Sequence, residues 1–217
     1  VNLSVIENQD GKKAKLHVNS THSLEERGLD AYFTCPEAVY PLMELEDLPP
    51  FIEEPACGDG AIAKVLSKAG HSVDCHDIQN YGYPGTQIRD YLKHPIPNQT
   101  HRPIGYGVVT NPPFRHSRAF AERALAEYNY VALFCPFNWL ETVDRKSFFE
   151  ESGLSRIWLS SRRLPMMHRF GYVGPKSTSN RPYAWFIWDH RINSGRKDYF
   201  ETRLFDWKSY LPGVEMP

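Results

Sequence analysis

Two hydrophobic periods alternate along this chain, and the switches between them outline its elements. Phe51-Ile52-Glu53-Glu54 reads as a short strand entering a glycine turn. Behind it Ile62, Val65, Leu66 and Ala69 fall on one helical face, with Lys68 in the last turn and Gly70 placed to close the helix. His71 to Ile78 returns to strand, and the apolar run from Ile104 to Val109, with Thr110, gives another. Phe120, Ala121, Ala124, Leu125 and Tyr128 then recur at helical spacing, with Ser117 as the expected cap. Tyr130 to Cys135 is almost wholly apolar, as in a strand covered on both faces. Residues 139–149 read as a helix, and 156–161 and 183–188 as two further strands.

This alternation predicts an α/β domain with a mainly parallel sheet and right-handed crossovers. Ligands of such sheets bind beyond the carboxyl ends of the strands, so the turns after Glu54, Asp77 and Thr110 should open onto one shared edge. Residues 1–30 are polar and weakly patterned, which suggests an arm preceding a single domain over 31–217. No repeat or low-complexity tract interrupts it.

Composition adds limits. The chain has 217 residues, 41% apolar and 24% charged, as expected of one globular domain. No run is long enough to span a membrane and the N-terminus has no apolar signal core, so the expected location is cytoplasmic, without a membrane partner. Cys35, Cys57, Cys75 and Cys135 form no C-x-x-C pair and read as buried reduced thiols. The nine histidines show no paired spacing, and no metal is expected. The net charge of −1 conceals a basic segment, because residues 156–203 hold 10 Lys and Arg against 3 Asp and Glu. The stretch from Arg162 to Pro182 is long and rich in Gly and Pro. Arg162, Arg163, Arg169, Lys176 and Arg181 could there track phosphates, with His168 and the aromatics against bases. A solvated charged surface is the plainer alternative.

The candidate chemistry lies in two turns. In FIEEPACGDG, Gly58 and Gly60 let backbone approach a ligand at the start of a helix. Neither the G-x-G-x-x-G spacing nor a phosphate loop is present, and Glu54 would repel a phosphate. An ammonium or sulfonium ligand with a ribose suits it better, and Asp77 is placed to accept the ribose hydroxyls. In Asn111-Pro112-Pro113-Phe114 the prolines hold Asn111 extended on a stiff turn and present an aromatic ring. Such a turn suits a flat, amino-bearing substrate.

EPACGDG, Asp77 and TNPPF, in that order, resemble the class I S-adenosylmethionine-dependent methyltransferases. More narrowly they resemble the amino-methyltransferases of nucleic acids, whose signature is [Asn/Asp/Ser]-Pro-Pro-[aromatic]. AYFTCPEAVYPLM (residues 31–43) is similar to the family's Thr-Pro motif, although Cys35 separates Thr34 from Pro36. Arg89-Asp90-Tyr91-Leu92 resembles its later acidic motif. The resemblance covers roughly residues 31 to 190. It implies a Rossmann-like, seven-stranded, mostly parallel sheet with helices on both faces and the last strand antiparallel. It also implies S-adenosylmethionine held by Thr34, Glu54, Ala56, Cys57, Gly58, Gly60, Asp77, Ile78, Asp90 and Tyr91. Catalysis would fall to Asn111, Pro112, Pro113 and Phe114, with Asn111 and the Pro112 carbonyl accepting hydrogen bonds from an exocyclic amine.

The substrate expectation is adenine N6 in DNA. RNA (adenine N6 or guanine N2), a protein glutamine amide, or an inactive cofactor-binding subunit are the alternatives. The partner is then nucleic acid, DNA before RNA, and a homo-oligomer is compatible with the sequence.

Overall fold

The structure is a computed structural model that describes residues 33–94, 105–166, 177–179, 181–191 and 200–213. The expected N-terminal arm lies outside the described residues. The chain runs α1 (Pro36–Leu45), β1 (Phe51–Glu54), α2 (Ala61–Lys68), β2 (Ser72–Asp77), β3 (Gln87–Ile88) and β4 (Tyr106–Thr110). It continues through α3 (Ser117–Glu127), β5 (Tyr130–Pro136), α4 (Val143–Glu151), β6 (Arg156–Ser160), β7 (Pro165–Met166), β8 (Ser177–Thr178), β9 (Tyr183–Asp189) and β10 (Glu201–Phe205).

Eight strands form one sheet in the order β3-β2-β1-β4-β5-β9-β6-β10, while β7 and β8 form a separate antiparallel pair. All neighbours in the large sheet pair parallel except β9, which is antiparallel to both β5 and β6. This is the Rossmann-like architecture of class I methyltransferases. The expected seven strands are present, with β10 added as an eighth, parallel to β6 at the edge.

The sheet is covered on both faces, which explains the unbroken apolar runs. All seven residues of β5 and of β9 are buried. Trp185 and Trp188, three apart on β9, are fully buried in opposite layers: Trp185 with Val39, Leu42, Ile62 and Leu66 of α1 and α2, and Trp188 with Ala121, Ala124, Phe148 and Phe149 of α3 and α4. Helix α2 ends as its sequence suggests: Gly70 adopts φ 99° and the His71 amide reaches back to the Leu66 carbonyl at 3.1 Å. The four cysteines are free and buried. Among the described residues no helix is long and apolar enough to cross a membrane.

Two local expectations are corrected. Ser117 is the first residue of α3 rather than its cap; it is buried, and its hydroxyl accepts the Cys135 thiol at 3.7 Å. The helix expected over 139–149 is divided into a 3-10 turn, Phe137–Leu140, and α4, with Thr142 extended between them. The break lets Trp139 meet Phe149 and Phe186 edge-on, each at 5.0 Å, which one continuous helix would not allow.

A buried polar group secures the amino end of the sheet. The Glu46 carboxylate, fully buried, accepts from Arg156 (2.6 and 2.5 Å), Trp158 Nε1 (2.6 Å) and Tyr130 OH (3.2 Å). Arg156 also meets Asp189 at 3.1 Å. Removing Glu46 leaves Trp158 and Tyr130 without this acceptor and Arg156 with Asp189. Glu46→Ala should therefore lower the unfolding free energy by about 3 kcal/mol, measured by urea titration, with the fold retained.

Candidate active site

The site follows from register. Glu54 pairs with Cys75 across β1 and β2, and Glu53 pairs with Val108 across β1 and β4. Two residues beyond the first pair stand Ala56 and Asp77; three residues beyond the second stand Ala56 and Asn111. Asp77 ends β2, and Ala56 and Asn111 stand just beyond β1 and β4, so the three leave adjacent parallel strands on one edge. The expected shared edge exists.

The glycine turn is built for close approach. Gly58 and Gly60 have φ of 54° and 77°, in the left-handed region. A Cβ on Gly58 would lie 2.7 Å from the Phe33 ring, and one on Gly60 would lie 2.2 Å from the Tyr83 ring. Both aromatics were missed by the sequence reasoning; Phe33 adjoins Thr34, and Tyr83 had no motif around it. Thr34 is buried, Ala56 half-buried, and Cys57 and Gly58 buried. Cys35 does not disrupt this segment, because it flanks α1 with Pro36 in the first turn, a position where proline's missing N–H costs nothing.

Acidic groups dominate the edge. Asp77 accepts from the Gly58 amide (2.9 Å) and the Gln79 amide (3.2 Å), tying the turn to β2. Burial raises the Asp77 carboxyl above its usual range despite these bonds. Asp59 accepts from the Ala61 amide at 3.2 Å, at the start of α2. Glu54, 1% exposed, takes the Ala63 amide, and its Oε2 has no protein partner. Burial pushes Glu54 well above the carboxylate range, with Cys57 adding to the rise. Two carboxylates at the α2 N-terminus leave no place for a phosphate and favour a cationic group.

Ile78, beside Asp77, is 55% exposed and offers an apolar surface at the edge. Asp90 spends its carboxylate on its own turn, accepting from the Leu92 amide (3.1 Å) and pairing with Lys93 (3.1 Å). The Lys93 ammonium holds the Asp90 carboxyl below its usual value. Tyr91 is buried against α3, 5.1 Å from Phe120 and 4.6 Å from the Arg123 guanidinium. Its neighbour Arg89 reaches Glu53 at 2.8 Å beside the buried His76, on the other face of the sheet.

Around Asn111, Pro112 is buried, and Asn111, Pro113 and Phe114 are half-buried. Pro113 is extended (φ −54°, ψ 126°) ahead of a 3-10 turn over Phe114–His116. The Phe114 ring lies 5.9 Å from that of Tyr183, which stacks on Phe134 at 5.1 Å. The expected substrate residues divide. Arg162 is forked onto Asp206 (2.8 and 2.6 Å), whereas Arg163 is exposed; His168, Arg169 and Lys176 lie outside the described residues. Arg115, directly after Phe114, is an exposed cation that the motif reading passed over. A cleft of about 770 Å³ between α1, α2 and a 3-10 turn over Trp207–Tyr210 holds none of Glu54, Asp77 and Asn111, and touches the glycine turn only at Asp59.

No family model matches the chain, and no curated protein matches it. Solved structures do. A Pyrococcus horikoshii protein provisionally named an RNA methyltransferase aligns with TM-score 0.54 at 16% identity, over 75% of this chain and 88% of its own. The methyltransferase subunit of a type I restriction-modification system from Streptococcus thermophilus aligns with TM-score 0.53 at 14% identity, over 85% of this chain. This chain spans about half, 49%, of that subunit. At such identities the likeness establishes the fold.

The raised Glu54 carboxyl has a measurable sign. The native state holds this proton to a higher pH than the unfolded chain, so wild-type stability falls as pH rises from about 4.5 through the raised native value. Glu54→Gln lacks that fall. Its melting temperature should exceed that of the wild type by a margin that grows with pH, read by calorimetry from pH 4 to pH 8 at roughly unit steps.

Proposed function

We propose that this protein is an S-adenosylmethionine-dependent methyltransferase acting on an exocyclic amine of a nucleic-acid base, adenine N6 in DNA being the leading substrate. The observation that carries this reading is that β2, β1 and β4 lie side by side in parallel, so the turns holding Asp77, Ala56 and Asn111 open on one edge. It sets a cofactor turn beside an amine-binding turn.

The residues fit the cofactor. Asp77 would receive the ribose hydroxyls, and Glu54, with an oxygen that no protein group satisfies, would face the ammonium. Gly58 and Gly60 supply close backbone, with Thr34 and Ala56 alongside; Ile78 and the Asp90-Tyr91 turn would border the adenine. When bound, S-adenosylmethionine supplies an electrophilic methyl on sulfur.

The chain's own contribution is positioning. Asn111 and the Pro112 carbonyl accept hydrogen bonds from the target amine, which turns its lone pair toward the methyl. Holding two reactants in line is worth effective molarities on the order of 10⁵ M or more. Phe114, braced by Tyr183, offers a ring against a base taken out of its stack.

Free cations support a polyanionic substrate. Arg115, Arg163 and Arg181 are exposed and form no ion pair among the described residues. They follow β4, follow β6 and precede β9, so they lie along the same edge beyond Asn111, away from the glycine turn. The names borne by the two solved structures, RNA methyltransferase and restriction-modification methyltransferase, also favour nucleic acid.

Methylated DNA digested to nucleosides should yield N6-methyladenine by mass; product only on RNA would move the substrate to RNA. Asn111→Ala should bind cofactor normally and lose about 10²–10³ in turnover, and lost cofactor binding instead would displace the site. Neutralising Arg163 or Arg181 should each lower the salt dependence of DNA binding by roughly 0.9 in log–log slope.

A further inference from the structure

Two buried nucleophiles take no part in the mechanism above. Cys57 lies in the glycine turn and Cys75 in β2, and with Ala63 they form one small cluster, 4% and 5% exposed. The Cys57 amide donates to the His76 carbonyl at 3.0 Å, which folds the turn back over β2. There the two side chains pack in one buried cluster, where the Cys75 thiol favours the Cys57 thiolate as a hydrogen-bond donor. Cys57 Sγ is also 3.4 Å from Thr86 Oγ1. The bond from Cys75 holds the Cys57 thiol below its ordinary value, while Cys75 is pushed up. One sulfur is thus the better nucleophile and the other stands beside it. Cys135 is bonded instead to Ser117, and Cys35 flanks α1.

We infer that Cys57 and Cys75 form a modification site, a dithiol that hydroperoxides convert reversibly to a disulfide locking the glycine turn onto β2. The Cys57 thiolate attacks one peroxide oxygen; the S–O bond forms as the O–O bond breaks, and the departing oxygen leaves as hydroxide and is protonated. The Cys75 sulfur then gives up its proton and displaces the sulfenic hydroxyl as water, forming the S–S bond. With hydrogen peroxide, two thiols lose two hydrogens and two waters are released.

A disulfide brings the two Cβ atoms to about 3.8 Å and admits a narrow range of dihedrals. Cys57 would leave Thr86 and draw in Gly58, whose amide holds Asp77 at 2.9 Å. The oxidised turn is then mis-set for the ribose and ammonium. This consequence rests on the proposed cofactor; the modification itself does not.

The test treats the reduced chain with hydrogen peroxide, blocks remaining thiols without reductant, and maps the peptides by mass spectrometry. The Cys57 and Cys75 peptides should appear linked and be released by dithiothreitol. Calorimetry should show S-adenosylmethionine affinity at least tenfold weaker in the oxidised form and restored on reduction. Cys75→Ser should stop at a sulfenic acid on Cys57, trapped by dimedone, whereas Cys57→Ser should leave Cys75 unreacted. Both thiols blocked after peroxide, or either one linked to Cys35 or Cys135, overturns the site. A correct linkage with unchanged affinity overturns the lock. Linkage in a protein whose reduced form binds no S-adenosylmethionine upholds the dithiol and overturns the cofactor reading instead.

Discussion

The in-register parallel pairing of β2, β1 and β4 is the constraint on which the rest depends. Side chains alternate between faces along a strand, so the pairing puts Glu54, Cys75, Asp77 and Val109 toward α1 and α2, and Glu53, His76 and Val108 toward α3. A slip of one residue would turn Asp77 to the wrong layer and bury an acid among Ala121 and Ala124. Val108 and Val109, buried in different layers, would tolerate such a slip, so the polar positions Glu53, Glu54 and Asp77 are the ones that oppose it.

Two adjacent acids on β1 show how the same strand serves structure and site. Glu53 is answered within the protein, by Arg89 at 2.8 Å and by Tyr128. Glu54, one residue on, receives the Ala63 amide and has no ion pair among the described residues, while each of the two carboxyls keeps one oxygen without a partner. Burying a carboxylate without a partner costs stability. Glu54 responds by holding its proton to a higher pH than an exposed carboxyl would.

The two ends of the sheet are built for different ends. At the amino end, Glu46, Arg156, Tyr130, Trp158 and Asp189 satisfy one another in a closed group. At the carboxyl edge β1, β2 and β4 stop on Glu54, Asp77 and Thr110, all buried, and Arg115, Arg163 and Arg181 stand exposed beyond that edge with no ion pair among the described residues. That closed group joins the amino ends of β5 and β6 to the end of β9.

Much of this was legible beforehand because it is local. The period of each element, the glycines that must adopt positive φ and the stiff Asn-Pro-Pro turn are encoded within a few residues of one another, and the order of motifs implied the sheet. The non-local pairings were not legible. Nothing near Glu46 announces Arg156, 110 residues away, and Phe33 and Tyr83 reach Gly58 and Gly60 only through the folded turn. Arg162 looked like a free cation until β10 brought Asp206 to it, while Arg115 and Arg163 gained meaning by being left unpaired. Cys57 and Cys75 read as isolated thiols until β1 and β2 paired. The sequence by itself determined most of the elements, their order and which side chains each turn carries. The tertiary structure alone decided which charges are paired, which stand exposed and which thiols share a cluster, because those outcomes depend on distances between residues that the chain brings together only on folding.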